Sequence, residues 1–403
     1  MEKIDNLWMN TEKHINFNLS TPAYIFDKDI LKEGIKHIKE LMPHCNNLCY
    51  AMKANPFLIN ALNDEVNYFE VCSPGEFEIC HRNNIPAEKI IVSGVNKTED
   101  SINRILDLSE GKCIYTIESM HHYEILNKLA KNKNLHIKIL PRLTSGNQFG
   151  IDEEDVEKIF ELTKNNENCT AIGIHFFSGT QKKLRRIEEE LNYLNEYAKH
   201  LRNKFKIEKL LLEFGPGLSV SYFKNDKSIS RKEEIIKLNE FLSKLENFDI
   251  INIELGRFIA ADCGCFITEV QDIKTNKNIN YLIMDSGLHQ IQYYGSMMGM
   301  KLPYIIQTPS REEEEIKEYT MAGALCSVND ILARNINFHK LQIGDKLLFQ
   351  RCGAYSMTEG ISTFLSRDLP SIYMYSKKDG YECIRPRIEI NYLNDKKGDF
   401  LNG

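Results

Sequence analysis

The chain is poor in what several binding classes require. Its 51 lysines and arginines are outnumbered by 57 aspartates and glutamates, giving a net charge of −6, and no basic block interrupts that balance. Nucleic-acid binders carry a clustered positive face, so no nucleic-acid partner is expected. No apolar run approaches the roughly 20 residues of a membrane span, and no membrane partner is expected either. The start, Met-Glu-Lys-Ile-Asp, has neither the basic head nor the apolar core of a secretion signal. The eleven cysteines are odd in number and scattered, with no CxxC pair; only Cys263 with Cys265, and more loosely Cys45 with Cys49, stand close. Such spacing supports neither a metal site nor a disulfide framework, and a cytoplasmic location is expected. A dinucleotide fold needs GxGxxG directly after its first strand, and none is there.

What the 403 residues do contain is an ordinary globular composition, 42% hydrophobic and 27% charged. Short apolar runs at 48–52, 68–72, 89–93, 113–117, 136–141, 171–176, 208–213 and 250–254 predict strands. Charge-rich amphipathic segments at 28–42, 57–65, 75–84, 97–108, 119–131, 153–164, 182–202 and 231–246 predict the helices between them. Eight alternating units predict an α/β fold, a closed (β/α)8 TIM-type barrel over residues 28–262. Beyond 262 the runs CFITEVQDIK, INYLIMDSG, DKLLFQ and SIYMYS lack helical period. They predict an antiparallel β-sandwich or barrel domain, residues 263–403 joined by 1–27, with a strand over 21–27. The acidic run 312–315 is expected to be a solvated loop or helix start, and the polar end after Leu393 to be frayed.

Barrel enzymes place their functional groups at the C-terminal ends of the strands. The first predicted strand runs into Lys53 in LCYAMKANPF. A lysine there loses hydration, so it must be paired, turned outward or chemically converted. Strand two leads to Glu70, strand five to Arg142, and strand six to His175, Phe177 and Thr180. Strand seven ends in Gly215-Pro216-Gly217 and strand eight in Glu254, Gly256 and Arg257. Loops after strands seven and eight of such barrels often hold phosphate. The glycines admit an anion close to backbone N–H groups, Pro216 donates none, and Arg257 adds a charged fork. A lysine opposite a phosphate site points to pyridoxal phosphate bound as a Schiff base, and Glu254 supplies a carboxylate that keeps the ring nitrogen protonated. The plainer alternatives are a salt-bridged Lys53 and a tight turn at 215–217. Three demands of one cofactor, met at three strand ends, outweigh them.

These segments resemble the alanine-racemase-fold (type III) pyridoxal-phosphate decarboxylases, the family of the diaminopimelate, ornithine, arginine and carboxynorspermidine enzymes. YAMKAN resembles the cofactor-lysine motif and IELGR the Glu-Pro-Gly-Arg motif. FEVCSPGE, GIHFFSGTQ, LEFGPG, GALCSVNDIL and GAY follow in the family's order, from about Thr21 to Ile390. The resemblance implies an amino-acid α-decarboxylase in which Lys53 carries the cofactor and Glu254 faces its ring nitrogen. It implies that Gly215, Gly217, Gly256, Arg257, Thr180 and Tyr355 surround the phosphate, with Glu70 near the Schiff base. It also implies a homodimer with shared active sites, each subunit lending Cys326 and Asp330 to its partner, with Cys326 returning a proton to Cα.

Three departures from the family bear on the substrate. Phe177 stands where relatives place a histidine over the ring; it can stack but donates no hydrogen bond. Pro216 and Leu255 replace a glycine and a proline. Ser327 replaces the acid that binds the distal ammonium of diamino acids, so the chain resembles secondary-metabolism members such as a carrier-tethered glutamyl decarboxylase. Asp330, Asn329, Ser327, Arg142 and Lys301 are the candidate substrate-binding groups. Decarboxylation of a diamino acid, racemisation and a non-catalytic regulatory role stay open as alternatives.

Overall fold

The computed structural model describes residues 15, 17–224, 226, 230–293 and 298–395. The chain forms two units, one of residues 35–219 with 229–258, the other of 1–34, 220–228 and 259–403. The notional boundary at 262 thus falls slightly earlier, and an excursion over 220–228 leaves the first unit for the second. The excursion is held there by specific contacts. Phe223 bridges Pro303, Lys224 N–H donates to Leu302 O, and Lys301 pairs with Asp226.

Strand β1 (Ala23–Asp27) belongs to the second unit. The first unit is built from β2 (Asn47–Ala51), β3 (Tyr68–Val71), β4 (Ile90–Val92), β5 (Ile114–Ile117), β6 (Ile137–Pro141), β7 (Cys169–Ala171), β8 (Gly173–Phe177), β9 (Leu211–Gly215) and β10 (Ile250–Leu255). All pair in parallel, in the order β7-β6-β5-β4-β3-β2-β10-β9-β8. β7 and β8 are one strand broken at Ile172, whose N–H reaches Ile139 O while its carbonyl accepts from Leu211 N. The ring closes where Arg142, just past β6, bridges to His175 of β8. This is the predicted eight-unit barrel. Cys49, Ile91, Ile114, Leu140 and Leu211 fill one interior layer. Burying each large apolar side chain contributes about 1.5–3 kcal/mol.

Helices follow the strands where the sequence supplies caps. Ser73 Oγ accepts from Glu76 N, and Glu76 in return accepts from Cys72 N at 2.6 Å, a reciprocal cap that starts the helix Pro74–Arg82. Thr98 and Ser119 cap the helices Glu99–Ser109 and Met120–Asn132. Two expectations shift. Strand seven begins at Leu211 rather than 208, because Glu208 and Lys209 are exposed. Lys53 lies beyond its strand, on the single turn Met52–Ala54.

The second unit is a sheet in the order β15-β14-β12-β11-β1-β17-β18, with β11 also paired to β16 and β16 to β13. Its further strands are β11 (Gly264–Asn276), β12 (Ile279–Met284), β13 (Ile305–Thr308), β14 (Ile316–Ala322), β15 (Ile331–His339), β16 (Lys346–Phe349), β17 (Ser371–Ser376) and β18 (Gly380–Arg385). The sheet is mixed rather than purely antiparallel. β1 runs parallel to β17, and β12 parallel to β14, because strands distant in sequence meet at those positions. The strand predicted over 21–27 pairs inside this unit, where Ala23, Ile25, Cys265, Ile267 and Leu348 form a core. The acidic run 312–315 is an exposed turn; of the end expected to fray after Leu393, Asn394 is held by Thr363 O and Ser366 Oγ, and the residues past 395 lie outside the described ones.

Candidate active site

The decapeptide around Lys53 ends its strand through Asn55. The Asn55 side chain accepts from Phe57 N at 3.0 Å, its carbonyl accepts from Tyr50 Oη at 3.1 Å, and Pro56 opens the next turn. That turn sends the lysine into the barrel mouth. Lys53 Nζ donates to Glu70 Oε2 at 2.9 Å and lies 3.7 Å from Glu254 Oε1, 3.5 Å from Cys72 Sγ and 5.6 Å from the Phe177 ring centre. Cys72 Sγ also donates to Glu70 Oε1 at 2.9 Å. Alternation along a strand places Glu70 and Cys72, two residues apart, on the same face. The sequence reading overlooked Cys72.

Glu254 is buried, and its second oxygen stands 3.4 Å from His175 Nε2, without hydrogen-bond alignment. Burial raises this carboxyl, but the Lys53 charge and then His175 outweigh it and hold it down at about 2. Glu213, in register with His175 on one side and Asn252 on the other, is fully buried. Burial, with the Glu254 charge next, pushes its carboxyl up to about 8.

A second buried cluster lies just past the ends of β4, β5 and β6. Arg142 Nη1 lies 3.2 Å from Glu118 Oε2, and its Nη2 donates to the Phe177 carbonyl at 3.2 Å. Lys97 Nζ lies 3.9 Å from the other Glu118 oxygen and donates to Thr116 Oγ1 at 3.2 Å. Burial pushes Lys97 down to about 8. Two arms of the Arg142 fork thus engage protein groups.

The turns after β8, β9 and β10 are shaped by glycine. A Cβ on Gly217, whose φ is +63°, would lie 2.1 Å from Gly179 O and 3.0 Å from Thr180 Cα. A Cβ on Gly215 would strike the Phe177 ring at 2.5 Å, and one on Gly256 would press on Ala51 and Ala54, either side of Lys53, at 3.1 Å. Arg257 follows, buried, at the start of a short helix.

Residues 28–261, more than half of the chain, match the family model for the pyridoxal-binding domain of pyridoxal-dependent decarboxylases. The chain belongs to this family. It is 26% identical over 385 residues to a diaminopimelate decarboxylase of Bacteroides thetaiotaomicron, covering 88% of this chain and 95% of that one. It is 25% identical to the L-glutamyl-[BtrI acyl-carrier protein] decarboxylase of Niallia circulans, covering 91% of each. The solved diaminopimelate decarboxylase of M. jannaschii with L-lysine superposes with a TM-score of 0.82 over 94% of this chain and 92% of that one, at 23% identity, and so shares the fold. The chain is a pyridoxal-phosphate-dependent carboxy-lyase.

The decarboxylase's barrel residues fit that cofactor. One buried Glu254 oxygen has no aligned protein partner, and the glycine turns leave backbone where a Cβ would intrude. The remaining candidates lie on the β unit. Cys326 and Ser327 are exposed, and Tyr355 adopts a φ of +65° in a loop. Two of the other candidates on this unit are engaged by its own groups. Asp330 is buried, and its two oxygens accept from Leu288 N and Leu325 N, both at 2.7 Å, so it anchors its loop. Lys301, half-exposed, is paired with Asp226 at 3.1 Å.

Proposed function

We propose that this decarboxylase removes the α-carboxylate of an amino-acid head group whose far end carries no free ammonium. An amide, or an acyl group tethered to a carrier protein, has the required chemistry. The observation that carries this reading is the spent Asp330: the loop from 325 to 330 contains no other acid, and Ser327 beside Cys326 is neutral. A distal ammonium would meet no charged partner there. The Niallia circulans relative, named for a carrier-borne glutamyl substrate, supports the same direction. Diaminopimelate is the competing substrate, favoured by the name of the Bacteroides relative.

In this reading Lys53 binds the cofactor covalently, and Glu70 holds its ammonium beforehand. Glu254 keeps a proton on the ring nitrogen, Phe177 covers the ring face, and Thr180, Gly215, Gly217, Gly256, Arg257 and Tyr355 receive the phosphate. When bound, the cofactor accepts the electron pair left as CO2 departs. Cys326, lent by the second subunit of a homodimer, returns a proton to Cα. One placed donor suffices for decarboxylation, whereas racemisation needs acid–base groups on both faces. The unbridged cysteines support a cytoplasmic setting.

Borohydride reduction of the holoenzyme followed by peptide mass spectrometry is expected to find the pyridoxyl group on Lys53; a different lysine would remove the assignment. CO2 release is expected from glutamyl amides or carrier-bound glutamyl thioesters in preference to meso-diaminopimelate. The reverse preference would overturn the substrate reading.

A further inference from the structure

The loop after β8 carries a buried cation that none of these roles uses. The Lys182 side chain is only 8% exposed. Its Nζ donates to Glu190 Oε2 at 2.6 Å, Ser178 Oγ at 3.0 Å and Gly215 O at 3.4 Å, while its backbone N–H donates to Gly217 O at 2.9 Å. Glu190 rises from the helix Leu184–Phe205 and also accepts from Ser178 Oγ at 2.6 Å and Arg186 Nε at 2.9 Å. One lysine thus ties the 178–182 loop, the end of β9 and the helix behind them.

This is a costly way to fill space. Burial pulls the Lys182 ammonium below its ordinary value, and the Glu190 bond only partly opposes it. An apolar side chain of similar volume would avoid that desolvation. What the ion pair fixes is the contact between two turns that have no spare room, since a Cβ at Gly217 would sit 2.1 Å from Gly179 O. Pro216, between the two glycines of one turn, has no N–H to offer an anion.

We propose that Lys182, held by Glu190, is a positioning residue that fixes the Gly179-Thr180 turn against Gly217, so that this turn's donors replace the N–H that Pro216 lacks at the cofactor phosphate. The inference rests on the cofactor reading of the site. Lys182 does not itself touch the phosphate: three protein acceptors surround its ammonium.

Full-length apoprotein titrated with pyridoxal 5′-phosphate, and separately with pyridoxal, separates the phosphate contribution, with visible absorbance reporting each dissociation constant. Lys182→Met is expected to weaken pyridoxal-phosphate binding about tenfold and pyridoxal binding by less than about twofold. Lys182→Arg, which keeps the cation and the reach, is expected to restore most of the loss. Adding Pro216→Gly to Lys182→Met returns a donor and is expected to recover at least about half of the lost free energy. Equal weakening of both ligands, or no weakening of the phosphate form, would overturn the assignment. If Lys182→Met does not fold, Glu190→Gln, which keeps the shape but removes the charge that holds Lys182, carries the test. It is expected to weaken pyridoxal phosphate about threefold with pyridoxal unchanged, and equal weakening of both ligands, or none, overturns the proposal. Failure of the native apoprotein to bind pyridoxal phosphate would instead remove the cofactor reading beneath it.

Discussion

Glu254 Oε2 and His175 Nε2 stand 3.4 Å apart inside the barrel, on strands separated only by β9. With Lys53 on its other side, the Glu254 carboxyl is held at about 2 although burial alone would raise it. It is therefore ionised at every pH at which an enzyme of this kind works. Glu254→Gln removes the charge but keeps the shape, and CO2 release should fall by about a hundredfold or more, the scale of losing one preorganised electrostatic partner. The stabilisation from the depressed carboxyl is present above its ordinary value of 4.5 and is lost as pH falls towards about 2. The melting-temperature gap between native protein and variant should accordingly close over that acid range.

Glu213 behaves in the opposite sense. Its folded carboxyl titrates at about 8, against 4.5 ordinarily, because burial and the neighbouring Glu254 charge disfavour ionisation. From 4.5 to about 8 the unfolded chain releases a proton that the folded chain retains, so stability is full below that window and declines as pH rises through it. Glu213→Gln, always neutral, should flatten this decline. Melting curves taken from acid to mildly alkaline pH read the effect directly; parallel curves for the two proteins would contradict it.

Arg142 separates a structural from a substrate role. Its partner Glu118 has a fully buried side chain, so Arg142→Met leaves a carboxylate with only the more distant Lys97, 3.9 Å away. Removing one member of a buried pair costs about 3–5 kcal/mol. The variant should lose stability by that order in denaturant titrations, and the Phe177 carbonyl should lose its anchor. A substrate ligand would give the reverse pattern, a raised KM with unchanged unfolding.

The barrel was legible because its strands are short, apolar and evenly spaced, and because parallel strands bring their C-terminal ends, with Lys53, Glu70 and Glu254, to one mouth. The break at Ile172 was not, since it depends on donating to one neighbouring strand while accepting from the other. Nor was the 220–228 excursion, whose partners lie near 302 and 351, far away along the chain. Charged residues were the hardest to interpret. Arg142, Lys301 and Asp330 look available as letters, but each is engaged by a partner that sequence spacing does not reveal: Glu118, Asp226, and two backbone N–H groups.

Asp330 makes position 327 decisive for the substrate. Both Asp330 oxygens accept backbone hydrogen bonds, and Gly287 and Gly323 leave them room, since a Cβ there would lie 2.6 Å and 2.2 Å from the carboxylate. Asp330→Asn should therefore lower stability by about 1–3 kcal/mol, because its amide nitrogen would face a backbone N–H, without changing the ratio between substrates. Ser327 is exposed on the same loop, next to Cys326, and an acid there stays free. A charge-assisted hydrogen bond to a distal ammonium is worth about 1.5–3 kcal/mol. Ser327→Asp should thus raise kcat/KM for meso-diaminopimelate by about tenfold or more, while lowering it for a neutral extended substrate. CO2 release from the two substrates in parallel measures the ratio. An unchanged ratio would place residue 327 beyond the substrate's reach and detach the loop from specificity.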